Sequence, residues 1–278
     1  MNSRLGFFLF LSLVLLSIPF CVKEDLPTAT EYATQKKLVF DTDKIYQFNP
    51  NLTYDSVNDI DGNVYKTIQI GEQMWMAENL KTTSYNDGTQ IPNVIDNSTW
   101  ITLKTGAYRW YNNDKWTYKK LYGALYNWYT VKTGKLCPTG WHVPSDDDWK
   151  QLEMTLGMTK EEADNWGEFP GIDSRGTDQG NQMKSTNGWI PWEGMLEKGT
   201  NTSGFSAMPA GESDWSGYSN GGPLVITDTK FRGAGICTTW WESTSEGGGR
   251  VLGSDVSGVI RGVYPAICGL SVRCLKDN

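Results

Sequence analysis

The chain has 278 residues, a formal net charge of -7, 21 % charged residues and 13 % aromatic residues, with 13 Trp and 30 Gly. Low charge combined with so many rings excludes a disordered chain and describes an ordered module, one medium domain plus an extension. The acidic balance, without a clustered run of Lys and Arg or a recognisable motif, excludes phosphate-backbone binding, so no nucleic-acid partner is expected.

Arg4 precedes an apolar run from Leu5 to Phe20 that is too short for a comfortable membrane span, and Cys21 follows it directly. Residues 1–21 are therefore expected to be an export signal. The segment resembles a bacterial lipoprotein signal, in which Cys21 would be lipidated, although Phe20 stands where a small residue is usual. Lys23-Glu24-Asp25 is similar to the Lys-acidic tag that sends lipoproteins of Bacteroidetes-type bacteria to the outer face of the outer membrane. The expected location is the cell surface through a lipid anchor, or otherwise secretion. Residues 22–58 carry Pro27, Pro50 and scattered Asn, Asp and Thr and read as a tether, with Leu38 to Phe40 a candidate short strand. Within it, Asp55-Ser56-Val57 resembles the Bacteroidetes acceptor triplet for O-glycosylation.

At Asp59 the texture changes, and residues 59–278 are expected to form the domain. Asp59 to Asn63 is a turn, Val64 to Ile70 alternates with period two, Gly71-Glu72 is a second turn, and Gln73 to Leu80 continues extended, which predicts a hairpin. Tyr108 to Tyr111 reads as a short aromatic strand. Leu125, Trp128 and Tyr129 at helical spacing predict a helix within residues 122–131, stopped by Gly134. Ser145 at N-cap, Asp148 three residues on and carboxylates in the first turn predict a helix over about 146–156. Thr159 with Glu162 forms a second capping box and predicts a shorter helix ending at Gly167. Phe205 to Met208, Trp240 to Ser243, Arg250 to Asp255 and Leu270 to Leu275 read as strands among Gly-rich loops. Helices before strands predict an α+β fold.

An exported chain can keep disulfides. With Cys21 in the signal, Cys137, Cys237, Cys268 and Cys274 remain and allow three pairings. A Cys137–Cys274 bond would close the middle of the domain onto its end, and Cys237–Cys268 is the candidate second pair. No spacing is Cys-x-x-Cys and His142 is the sole histidine, so a zinc or haem site lacks its ligands, and no metal site or cofactor is assigned. Asp59-x-Asp61-Gly62-Asn63 is half of an EF-like loop without its closing Glu, which leaves structural calcium as the ion to test.

Several blocks in order resemble the Fibrobacter succinogenes major paralogous domain. They are Asp59 to Tyr65, Trp75-Met-Ala-Glu-Asn-Leu80, Leu121 to Tyr129, Cys137 to Trp149, Gly204-Phe205, Trp240-Trp-Glu-Ser-Thr244 and Ser271-Val-Arg-Cys274. That family in turn looks like a branch of the C-type-lectin-like fold near the formylglycine-generating enzymes. The resemblance implies two or three helices, irregular antiparallel sheets and Gly-rich loops.

Catalysis by such an oxidase would need a reactive cysteine pair before the closing strand, and Cys274 fits a structural disulfide better. Asp146, Asp147, Asp148, Glu161 and Glu162 offer carboxylates for glycoside cleavage, but first-turn placement explains them through helix electrostatics. His142 reads as a packed turn residue without a partner that would make it a base. Trp240 and Trp241 read as packing, against the alternative that they, or Trp189 and Trp192, form a platform for sugar rings.

From Gly247 to Leu275 there is no Trp, Gln, Lys, Glu or Met, the types that a codon ending any-pyrimidine cannot encode. This resembles the product of a diversity-generating retroelement, whose targets include lectin-fold lipoproteins, and would make Val259 to Ile267 a sampled binding surface; an ordinary Gly-rich loop is the alternative. The expected contacts are Trp215, Tyr218, Arg232, Arg250, Val259, Ile260, Arg261, Val263 and Tyr264, chosen for their Gly-rich surroundings. The expected function is non-catalytic recognition of a glycan or protein at the cell surface. The alternatives are a structural subunit of an envelope complex and an oxidoreductase.

Overall fold

In the computed structural model, residues 48–166, 173–192, 195, 197–218 and 225–278 are described, with the side chains of 214–218 and 225–229 excluded. Cys21, the expected export signal and the candidate strand at Leu38 to Phe40 lie outside the described residues. Strand β1 (Asp55–Asn58) pairs antiparallel with β2 (Val64–Ile70), which forms the expected hairpin with β3 (Gln73–Met76). Phe48, Leu52 and Tyr54 pack against the core, so residues 48–58 of the stretch read as tether belong to the packed unit. The β1–β2 turn forms because Gly62 takes φ 78° and the Asp59 carboxylate accepts the Asn63 amide at 2.8 Å.

Helix α1 (Asn97–Trp100), β4 (Tyr108–Arg109) and a 3-10 turn at Tyr111–Asn113 come next. The helix expected within 122–131 is not continuous. Helix α2 (Lys115–Tyr122) stops at Gly123, β5 (Leu125–Tyr126) pairs with β4, and α3 (Trp128–Val131) is a single turn. Gly123 sits at φ 75°, where an added Cβ would come within 2.6 Å of the Leu80 carbonyl. That backbone contact overrides the helical spacing of Leu125, Trp128 and Tyr129.

After β6 (Trp141–His142), α4 (Asp146–Thr155) and α5 (Lys160–Asp164) carry both expected capping boxes, Ser145 with Asp148 and Thr159 with Glu162. The remaining elements are β7 (Ser174–Arg175), α6 (Gln179–Met183), β8 (Ala210–Tyr218), β9 (Val225–Ala234), β10 (Cys237–Trp241), β11 (Gly248–Gly253), β12 (Val259–Val263) and β13 (Leu275–Lys276). Phe205 to Met208 is buried but not a strand, and residues 270–274 are held by isolated bridges at Leu270 and Ser271 and by the Met76 amide donating to the Cys274 carbonyl at 3.0 Å.

One sheet runs β1-β2-β3-β13-β6 and a second β7-β12-β11-β10-β8-β9, an α+β arrangement in which antiparallel pairs predominate and β10 meets β8 in parallel. β10 lies between two core clusters. Trp240 and Trp241 are both fully buried, Trp240 against Trp149 and Phe205 in one cluster and Trp241 against Trp128 and Tyr264 in the other. Successive side chains leave a strand on opposite faces, so both rings serve as packing, as expected. Their indole N–H groups donate to Asn79 Oδ1 at 2.9 Å and to the Tyr126 carbonyl at 2.7 Å.

Cys137 and Cys274 are joined, tying the turn before β6 to the approach to β13. The candidate second pair, Cys237 and Cys268, lies fully buried in one apolar cluster.

Candidate functional site

The residues expected to form a terminal recognition face are mostly inside the protein. Val259 and Ile260 are fully buried on β12, which is flanked by β7 and β11 rather than looped into solvent. Tyr264 packs edge-on against Trp241 at 6.3 Å. Arg232 is half-buried on β9, while Trp215 and Tyr218 belong to β8 and not to a loop; the side chains of the latter two lie outside the description. Val263, at the end of β12, is 54 % exposed. The expected surface is thus corrected to a strand core, and the glycines that suggested loops mark close approach instead. A Cβ on Gly249 would stand 2.6 Å from the Trp240 carbonyl, and one on Gly248 would overlap the Glu242 carboxylate.

Arg250 and Arg261 serve a buried charge cluster. Fully buried Glu153 receives Arg250 Nε at 2.7 Å and Arg175 Nη2 at 2.9 Å through one oxygen, while Asp146 receives Arg250 Nη2 at 2.8 Å and also Arg261. Burial pushes the Asp146 carboxyl up, but the neighbouring Arg250 and then its other cationic partners outweigh this and hold it below its ordinary value. Asp146 in the first turn of α4 and Glu153 two turns on therefore cross-link helix to sheet. Nothing in the contact-free sequence pattern of Glu153 or Arg175 signalled this, because their partners lie far along the chain.

His142 bridges Asp148 and Asp277, with ring nitrogens 3.3 Å and 2.6 Å from their carboxylates. The bond to Asp148 raises its pKa against the effect of partial burial, and Asp277 adds to the rise. This fastens the last residues of the chain to the cap of α4, a structural use of the group.

The described concave site lies elsewhere, beside the disulfide. A cleft of about 290 Å³ is lined by Val57, Asn58, Asp59 and Ile60 on one side, Thr82, Ser84 and Asn86 on another, and Leu136 to Thr139 on the third. Its walls are fixed by local hydrogen bonds. Asp59 accepts Asn63 Nδ2 at 2.7 Å and the Tyr65 hydroxyl, Asp61 accepts the Thr83 amide at 2.6 Å and the Thr82, Thr83 and Ser84 hydroxyls, and Asn86 Nδ2 donates to the Cys137 carbonyl at 3.1 Å. Burial acts to raise the Asp61 pKa, but the donors from Ser84, Thr83 and Thr82 leave it lowered. Tyr65 is driven the other way, first by burial and then by the charges around it, and keeps its proton. Asp59 and Asp61 thus accept from different sets of protein donors, and no group of three metal-ligating side chains is found among the described residues. Sequence reading picked out the Asp59–Asn63 turn and the Cys137 turn separately; their meeting is a product of the fold.

An α+β domain with its middle stapled to its end is what the geometry defines. The chain belongs to the Fibrobacter succinogenes major domain family, whose model matches residues 68–276. No curated protein and no solved structure matches it.

Proposed function

We propose that the chain is an exported, lipid-anchored and non-catalytic recognition module of the outer surface, with a C-type-lectin-like fold, that takes a glycan or protein segment into the cleft beside Cys137. The observation that carries this reading is the cleft itself. It offers hydroxyl, amide and carboxylate groups from Asn58, Asp59, Thr82, Ser84, Asn86 and Thr139 beside apolar Val57, Ile60, Leu136 and Pro138. Recognition sites combine an apolar lining with a few placed polar groups in this way. Walls held by the disulfide and by hydrogen bonds reduce the ordering cost of binding.

The state of the nearby groups supports binding over chemistry. Asp61 stays ionised and Tyr65 protonated, so the pair offers no acid and base poised near neutral pH. Cys274 is bonded to Cys137, which leaves an oxidase of the formylglycine-generating type without that thiol.

The test is a glycan and protein array probed with the parent chain and with Thr139→Trp. Thr139 is an exposed lining residue, so the indole fills the cleft without altering the core. Binding by the parent that falls at least about tenfold in the variant is expected, a loss of about 1.4 kcal/mol. If no ligand bound by the parent is weakened in Thr139→Trp, the cleft is removed from the reading.

A further inference from the structure

Among the described residues most large aromatic side chains are buried or half-buried, Trp166 is 38 % exposed, and Trp116 departs furthest. Trp75, Trp100, Trp110, Trp149, Trp240 and Trp241 are buried, whereas Trp116, in the first turn of α2, is 92 % exposed. The helix buries its other face through Tyr118, Leu121 and Tyr122, so the outward direction of Trp116 is set by the helix and is not a consequence of loose packing. Lys115 and Lys120 are exposed beside it in sequence, and the Lys115 ammonium stands 5.8 Å from the Trp116 ring centre.

The acids of this edge are turned to local duties. Asp114 caps α2 by accepting the Trp116 and Thr117 amides at 3.0 and 3.1 Å, and Asp96 caps α1 through the Thr99 amide at 2.7 Å. Asn113 Nδ2 holds the Ile95 carbonyl at 3.3 Å, bringing a second exposed apolar residue, 60 % exposed, to the start of α2. Asn112 and Asn113 are exposed between them. The result is an indole face with ammonium groups and amides at its margin, on a chain whose overall charge is negative.

We propose that this face of α2, Trp116 with Lys115 and Lys120, docks an acidic polysaccharide. The indole covers the C–H face of a sugar ring, the ammonium groups meet its carboxylates, and the Asn112 and Asn113 amides meet its hydroxyls. A lipid surface fits less well, because those amides would lose water without gaining partners and Ile95 alone extends the apolar area. The face lies apart in sequence from every cleft-lining residue and adds a second contact to the module.

The experiment measures binding of the full chain to polygalacturonate, with neutral dextran and phosphatidylglycerol vesicles as comparisons. Binding to polygalacturonate that weakens as salt rises is expected, with Trp116→Ala and Lys115→Glu/Lys120→Glu each reducing affinity roughly tenfold at unchanged melting temperature. Thr139→Trp, which fills the cleft, should leave this binding intact, so the two sites fail independently. Absent binding to polygalacturonate, equal retention on dextran, binding to vesicles only, full affinity in Trp116→Ala, or loss in Thr139→Trp would each overturn the proposal.

Discussion

Removing the disulfide should cost the domain a large part of its stability. The bonded residues are 137 positions apart, and closing a loop of that length lowers the entropy of the unfolded chain enough to contribute about 5 kcal/mol at 25 °C. For a domain of about 200 residues this corresponds to a fall of roughly 10 to 20 °C in melting temperature. Cys137→Ala/Cys274→Ala adds the loss of two buried sulfurs, about 1 kcal/mol each, whereas reductant acting on the parent removes only the cross-link. Urea unfolding of oxidised parent, reduced parent and double variant separates the two contributions. The same series should show the cleft loosening, because Cys137 lines it and its carbonyl receives Asn86. A difference under about 1 kcal/mol between oxidised and reduced parent would refute the loop-closure reasoning and imply a denatured state that already holds these segments together.

Two further outcomes follow from the charge groups. Glu153→Gln should destabilise by about 3 to 5 kcal/mol in denaturant unfolding, since it leaves Arg250 and Arg175 buried around a neutral amide; a loss under about 1 kcal/mol would count against the cluster as a cross-link. His142 has a raised pKa in the folded state, so its contribution is fully present below the unfolded value and is lost as pH rises through the folded value. Stability measured from about pH 5 to 9 should therefore decline on the alkaline side of the histidine range. His142→Gln should flatten that decline, and an unchanged profile would show that other groups cause it.

Local signals were legible where local physics decides the outcome. The capping boxes at Ser145 and Thr159 and the hairpin from Val64 to Met76 depend on neighbours a few residues away, and the structure has them. The segment around Gly123 was misread because the decisive contact is with the backbone of Leu80, over forty positions earlier and invisible to periodicity. The terminal glycines misled for a related reason: missing side chains look the same in a loose loop and in tightly apposed strands. Arg250 and Arg261 stand in Gly-rich surroundings that suggest ligand contacts, and only their distant partners Glu153 and Asp146 turn them inward. The cleft was hidden because the segments that line it are spread from Val57 to Thr139.

The placement of β10 has a mechanical consequence. Because Trp240 and Trp241 wedge into different clusters from one short ribbon, melting of either cluster should strip packing from a strand that the other shares. Heat should therefore open both clusters in one transition, and proteolysis should cut the two sides of that shared wall at the same temperature.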